Sequence, residues 1–401
     1  MKATNFSSFV KGVGVFALTL ASFKAFAQQK PMMETPASKR ACKKSCKKSC
    51  GKSCGKSKLD ISGSVDAYHR YDYLSSNISS EANDTPTLFA NQTGFVLGTA
   101  NVKAAYQTGN VGAVIDASYG ERADLRAASE MSTSTTNRFL NQAYVYWNAS
   151  DKTTLTLGKI ATFLGQEKLS AAENTNYSSS YIFSSNPLTY TGVTVDYDFS
   201  DNWYGTLGVF NQGGSTYTQF DNYTLGAKVG YNKGKAATAL AVTHGREGMT
   251  AGSISRVLRT NLTTKYKASD AFAVALDAIY NIDLGDTTQN LSNLAGTGVA
   301  ISAEEVYGVA VYPTYQVNQK LELGLRAEYY GAEDISNNGT DAVAATLTGN
   351  YKVADALTIK PELRFDHIRN NDRGDHLIFT DSNGDNVPNL ASFIVAAVYQ
   401  F

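Results

Sequence analysis

Ala391-Ser392-Phe393-Ile394-Val395-Ala396-Ala397-Val398-Tyr399-Gln400-Phe401 is the stretch on which the fold turns. Every odd position is apolar or aromatic, whereas the even positions include Ser392 and Gln400. A period of two is that of a strand, and this strand has one continuous greasy face. Soluble domains tend to finish in polar, poorly ordered tails. A strand closing on Tyr-x-Phe instead fits the last strand of an outer-membrane barrel, its final aromatic in the interfacial girdle. The competing expectation is a buried strand of a soluble sandwich.

The rest of the chain repeats this unit. In the first strand Ile61, Gly63, Val65, Ala67, Tyr71 and Tyr73 share one face, and Asp60, Ser62, Ser64, Asp66, Arg70 and Asp72 the other. One face suits lipid and the other water. Sixteen such strands are expected, near 59–74, 92–107, 111–120, 138–148, 153–163, 190–199, 203–212, 223–231, 236–244, 255–266, 271–281, 304–316, 321–330, 341–351, 357–367 and 391–401. The connections alternate strictly in length. Turn signals such as Thr108-Gly109-Asn110 and Ser200-Asp201-Asn202 mark the short ones. Long polar loops fall near 75–90, 120–137, 164–189, 212–222, 245–254, 283–303, 331–341 and 368–390. Short periplasmic turns and long extracellular loops are the habit of membrane barrels, and an even count leaves both ends periplasmic. Tyr106, Trp147, Trp203, Tyr231, Tyr315, Tyr351 and Phe401 stand at the short-turn ends, where an aromatic girdle belongs. Pro361 interrupts an otherwise regular strand and predicts a bulge or break there.

Composition agrees. Among 401 residues there are 24 Tyr and 33 Gly but only 7 Pro, and nothing reads as helical, which favours an all-β chain. With 36 basic and 36 acidic residues the net charge is zero, unlike the basic surface of a nucleic-acid binder. Residues 1–27 read as a secretory signal peptide: Lys2 and Lys11, an apolar run from Val13 to Phe23, then Ala25-Phe26-Ala27 as the cleavage site. No other apolar run is long enough for a spanning helix. An exported chain with lipid-type strands then has a closed barrel as its membrane solution, because only closure satisfies every backbone group in hydrocarbon.

Residues 28–58 form a basic, low-complexity segment built on Cys42-Lys-Lys-Ser-Cys46-Lys-Lys-Ser-Cys50-Gly-Lys-Ser-Cys54. The C-x3-C repeat lacks a zinc-finger spacing and a nearby His. It reads as a disordered periplasmic linker, with the four cysteines as weak candidates for a thiophilic metal. The barrel itself is expected over 59–401.

Strand parity sends charges of both signs inward: Asp66, Arg70, Lys103, Asp116, Asp196, Lys228, Arg259, Lys265, Asp277, Glu322, Arg326, Glu328, Lys360, Glu362, Arg364 and Asp366. Charge on a lipid face is costly, so these positions point to water, and a barrel this wide normally leaves an aqueous channel. The lumen wall is expected to carry Arg70, Arg259, Lys265, Asp277, Arg326, Lys360 and Arg364. Loop 164–189, aromatic and rich in Ser and Asn, is expected to fold into the lumen as the channel constriction, carrying Glu167, Lys168 and Glu173, with Glu167 and Glu173 facing basic wall residues. A loop packed at the rim is the alternative.

Leu157-Gly158-Lys159, Gly165-Gln166-Glu167, Asn174-x-Asn176-Tyr177-Ser178-Ser179-Ser180-Tyr181-Ile182-Phe183 and Pro187-Leu188-Thr189-x-Thr191-Gly192-Val193 together resemble the central signature of the OmpL-like β-barrel porins. The looser resemblance covers 59–401, and it departs at Ser179, where a basic residue is expected, and at Tyr190, where His is common. It implies a passive outer-membrane diffusion channel for small hydrophilic solutes and ions, without cofactor or catalysis. Outer-membrane lipid and the barrel insertion machinery are its expected partners, with Tyr399 and Phe401 as the assembly signal and a homotrimer as one oligomeric option. The alternatives are a structural or adhesive barrel tethered through the cysteine segment, or a barrel enzyme. The latter needs an oriented Ser/His pair, and His69, His244, His367 and His376 suggest none, nor any metal spacing. Asp381-Ser382-Asn383-Gly384-Asp385 resembles a calcium loop but lacks a following bidentate Glu, so a polar turn is expected.

Overall fold

A computed structural model of the chain describes residues 57–74, 87–129, 138–217, 222–247, 255–283, 305–333, 339–370, 379–381, 383 and 385–401. The expected signal peptide, the four cysteines and His376 lie outside the described residues. In chain order the strands are β1 (Lys58–Asp72), β2 (Gly94–Thr108), β3 (Val111–Tyr119), β4 (Leu140–Asn148), β5 (Thr153–Ala161), β6 (Thr189–Asp198), β7 (Trp203–Asn211), β8 (Tyr223–Lys233) and β9 (Ala236–Glu247). They continue with β10 (Ser255–Lys267), β11 (Phe272–Asp283), β12 (Glu305–Gln316), β13 (Leu321–Glu333), β14 (Gly339–Ala354), β15 (Leu357–Asn370), β16 (Phe379–Thr380), β17 (Asn386–Val387) and β18 (Asn389–Gln400).

Sixteen of these, β1 to β15 and β18, form one closed antiparallel barrel in which each strand pairs with its barrel neighbours in sequence. The opening stretch closes it. β18 runs beside β1 from Ser64↔Gln400 to Asp72↔Ser392, and Gly63 and Phe401 exchange two backbone hydrogen bonds of 3.1 Å. A closed ladder leaves no edge of unpaired amides.

Outward faces are apolar, as parity predicts: Leu59, Ile61, Val65, Val102, Ile115, Val145, Leu157, Leu207, Leu225 and Leu363 are all exposed. Three threonines sit among them on β9 and β10. Their hydroxyls donate to backbone carbonyls, Thr238 to Thr263, Thr260 to Tyr280 and Thr264 to Ala237, at 2.7–3.1 Å. A hydroxyl satisfied this way is cheap to face towards hydrocarbon. At Pro361 the β14–β15 pairing is interrupted between Thr348↔Glu362 and Tyr351↔Ile359 but keeps its register, and the bulge lies further on, between Lys352 and Ala354.

The inner face departs from expectation in two places. The even side of β18 is not a water-facing row: Ile394, Ala396 and Val398 are buried against Tyr68, Tyr177, Ala90 and Ala171. Both faces of this strand are apolar because one meets the surroundings and the other a packed interior. The loop after β3 also contains a helix, α1 (Glu121–Ser129), where no helix was expected. Glu121 and Asp124 in its first turn suit the positive end of the helix dipole.

Candidate functional site

The interior is packed because loop 162–188, between β5 and β6, lies inside the barrel and crosses it. Its first residues, Phe163 and Leu164, pack on Tyr190, Phe210 and Ala241 of β6, β7 and β9. At its far end a short helix, α2 (Tyr181–Ser184), is capped by Ser180, whose side chain accepts from Phe183 N. Ile182 there packs on Ala275, Ile279, Ala310 and Tyr312 of β11 and β12.

Between these ends the loop's backbone has no strand partner, so wall side chains satisfy it. Gly165 N donates to Asn261 Oδ1 at 2.8 Å and Gln166 N to Asp277 Oδ2 at 2.6 Å. Tyr177 N and Ser178 N donate to the two oxygens of Glu362, and Tyr181 N to Glu328 Oε2. In the other direction Arg326 donates to the carbonyls of Ser178 and Ser179, Arg364 to that of Ser179, and Lys360 to those of Ala171 and Asn174. A buried amide or carbonyl without a partner costs about 1–3 kcal/mol, so each of these charged side chains replaces a missing ladder. Glycine makes the approach possible at two points. A Cβ on Gly324 of β13 would overlap Thr175 of the loop, and one on Gly98 of β2 would overlap Asp66 and the Tyr177 hydroxyl.

The charges also pair among themselves. Arg326 is 2.9 Å from Glu167, and Arg364 is 2.7 Å from Asp366, all of them buried. Tyr177 donates its hydroxyl to Asp66 at 2.5 Å.

Two further loops cover the outer mouth. Arg122 of α1 donates to Tyr177 O at 2.7 Å, and its guanidinium lies between the rings of Phe89 and Tyr177, 4.7 and 4.9 Å from their centroids. Ala90 adopts a left-handed φ of 66° and presents its carbonyl to Arg70. From the other side the β16–β17 hairpin inserts Phe379 against Tyr181. Asp381 at its tip accepts from the amides of Asn383 and Asp385, a polar turn as expected.

The residues of the expected site thus fall into two groups. Arg70, Asp277, Arg326, Lys360 and Arg364 are inward and buried, holding the loops in place. Glu167 joins them: only 6% exposed, it accepts from Ser180 N, Tyr312 and the basic wall residue Arg326, and so anchors the loop. Lys168, Glu173 and Lys265 are exposed. Arg259 is half-buried in a two-pronged pair with Glu247. Of the motif residues, Asn176, Tyr177 and Tyr181 are buried anchors, Gly158, Lys159, Thr191 and Gly192 lie in the strands flanking the loop, and Gly165 opens it.

Sequence comparison finds the same unit. Residues 58–401, the whole barrel, match the family described as "Putative beta-barrel porin-2, OmpL-like". The chain belongs to the OmpL-like porins. It is accordingly an outer-membrane β-barrel protein of bacteria and a channel former. No curated protein matches it significantly. Among solved structures this porin is similar to the outer membrane channel DcaP of Acinetobacter baumannii, with 13% identity, 88% of this chain and 99% of that one covered, and a TM-score of 0.54. It is similar to a trimer form of OmpT from Vibrio cholerae, with 13% identity, 86% and 99% coverage and a TM-score of 0.53. It is also similar to an anion-selective porin from Comamonas acidovorans, with 11% identity, 86% and 100% coverage and a TM-score of 0.52. At these identities the likeness is one of fold.

Proposed function

We propose that this porin passes small hydrophilic solutes and ions by passive diffusion, without catalysis, and that loop 162–188 sets the width of the passage. The observation that carries the reading is the asymmetry of the interior. Most polar anchors of the loop stand on β10–β15, while a run of inward side chains on β4–β8, Tyr144, Thr154, Thr156, Asp196, Tyr204 and Lys228, keeps partial exposure; on the anchored side, exposure persists beneath the loop at Lys265 and Glu322. The water path runs on that side. Its charges are Lys168 of the loop and Lys228 of the wall, close enough to repel one another, with Asp196 nearby. Lys168 is the exposed charge at the narrowing and favours anions there, because selectivity follows the charges ringing a constriction.

The trimer recorded for OmpT supports a homotrimer here. Residues 1–27 are read as a cleaved signal, 28–58 as a periplasmic linker, and Tyr399 with Phe401 as the assembly signal. Planar-bilayer recording tests the channel. A step conductance with a reversal potential of the anion-preferring sign is expected, moving towards cations in Lys168→Gln. A folded protein without conductance would overturn the porin reading, and an unmoved reversal potential would remove Lys168 from the constriction.

A further inference from the structure

Beneath the loop, on the side of the short turns, lies a cavity of about 120 Å³ whose lining includes Glu173, Asn176, Lys265, Tyr312, Thr314 and Glu322. Its floor is small and apolar, Ala273 and Ala275 of β11. Here two opposite charges stand apart. The side chains of Lys265 on β10 and Glu322 on β13 form no hydrogen bond or ion pair with any described residue, and the cation acting on Glu322 is Lys360 of β15, on the side away from Lys265. Three inter-strand steps separate them, roughly 14 Å across the wall at about 4.8 Å per step, and the register adds an offset of about 13 Å along the strands, since Lys265 is level with Tyr312 of β12 and Glu322 with Gln316; together this is too far for direct contact. At the β14 end of the lining Asn176, 3% exposed, has a side-chain oxygen with no donor among the described residues, while its amide is held by Thr348.

We propose that this cavity is a binding subsite for a small zwitterion, an amino acid or dipeptide, with its carboxylate on Lys265 and its ammonium on Glu322. The inference rests on the porin reading and names a solute class for it. A dipeptide holds its terminal charges several ångströms apart, so with one hydrogen bond at each end it bridges a gap that Lys265 and Glu322 cannot close alone. Asn176 Oδ1 accepts a further N–H, from the ammonium or the peptide. The Tyr312 ring and the two alanines leave room for a methyl group and little more.

The test is current block in planar bilayers carrying the full-length porin, with L-alanyl-L-alanine as the probe. Saturable block is expected from alanyl-alanine, with weaker or no block from N-acetyl-alanyl-alanine, which lacks the ammonium, and from alanyl-alanine amide, which lacks the carboxylate. Losing one charge-assisted contact corresponds to roughly a tenfold higher half-blocking concentration. Lys265→Gln and Glu322→Gln should each shift alanyl-alanine by about that factor, their folding checked by heat-modifiable gel migration. The ligand series on the native chain decides the matter even where a variant misfolds. Conductance without block by alanyl-alanine, or equal block by the amide alone, overturns the zwitterion site and leaves the channel intact. No conductance under any condition fails the porin reading instead.

Discussion

Two walls of the barrel, β13–β15 and β6–β9, hold the same loop by opposite means. On β13–β15 the buried charged side chains that face inward are Arg326, Glu328, Lys360, Glu362, Arg364 and Asp366, three cations and three carboxylates, with Glu322 half-buried nearer the short turns. On β6–β9 those packed on the loop are mainly Tyr190, Phe210 and Ala241, with alanines and hydroxyl side chains such as Thr224 and Thr243 around them and one charged contact, Lys228 to Phe163 O at 3.3 Å. The Phe210 ring there covers Gly208 and, with Phe163, Gly226. Apolar packing is non-directional and tolerates sliding. Charge-assisted hydrogen bonds fix distance and angle, and the atoms they bind here are the loop's own amides and carbonyls. The apolar wall seats the loop and the charged wall sets its register. The balance of charge has a second effect: with its cations and acids neutralising one another, the anchored wall leaves selectivity to the few exposed groups, Lys168 foremost.

The comparison breaks most visibly at Arg326. It is 1% exposed and binds Glu167, two loop carbonyls and Thr346, with Glu328 at 3.7 Å. Arg326→Ala leaves two buried carboxylates uncompensated, a loss of about 3–5 kcal/mol from the docked loop. The barrel ladder is untouched, so heat-modifiable migration should persist while single-channel conductance rises and becomes noisy. Conductance equal to the native value would show that the apolar wall suffices to hold the loop.

Gly324 gives a smaller effect by sterics alone. Gly324→Val forces Thr175 away from β13, an overpacking cost of about 1–3 kcal/mol without any change of charge. Conductance should change in the same direction as in Arg326→Ala but by less, with the reversal potential unmoved. A shift in ion preference would mean that the Thr175 segment contributes to selectivity, which the charge-based account denies it.

Most of the barrel was legible in the sequence because parity and turn chemistry are local signals. Ile61 to Tyr73 alternate, Thr108-Gly109-Asn110 turns, and the structure has both. The plug was legible only in part. Loop 162–188 stood out by its length and aromatic content, but which of its acids is buried on the wall depends on partners some 150 residues away. Glu167 and Glu173 look equivalent in sequence, yet Glu167 is buried against Arg326 and Glu173 is exposed. The continuous apolar run Ile394–Val398 was the one local hint that the lumen is packed near β18, since a strand between lipid and water has no use for a second greasy face. Helix α1 gave a weak signal because it is nine residues long and stabilised by docking, not by its own propensity.

That docking supplies the smallest effect and extends the comparison to the mouth. Glu121 receives the Tyr68 hydroxyl on both carboxylate oxygens at 2.9 Å, with Arg122 adjacent in the chain. Burial nevertheless pushes Glu121 above the ordinary carboxylate value, the hydrogen bond and Arg122 opposing it only in part. A raised value means that the docked state binds the proton more tightly than the undocked one. The contribution is therefore full below the ordinary carboxylate value and is lost as pH rises through the raised one. A spin label on exposed Ala128 should gain mobility over that range in the native porin, and Glu121→Gln, which keeps a neutral side chain at every pH, should flatten the curve. The anchored wall offers the contrast: the same label on loop 162–188 should show no matching transition, because Arg326 and Arg364 hold it through several partners at once. A label on Ala128 whose mobility ignores pH in the native chain would assign the docking of α1 to the Arg122 stack between Phe89 and Tyr177 instead of to Glu121.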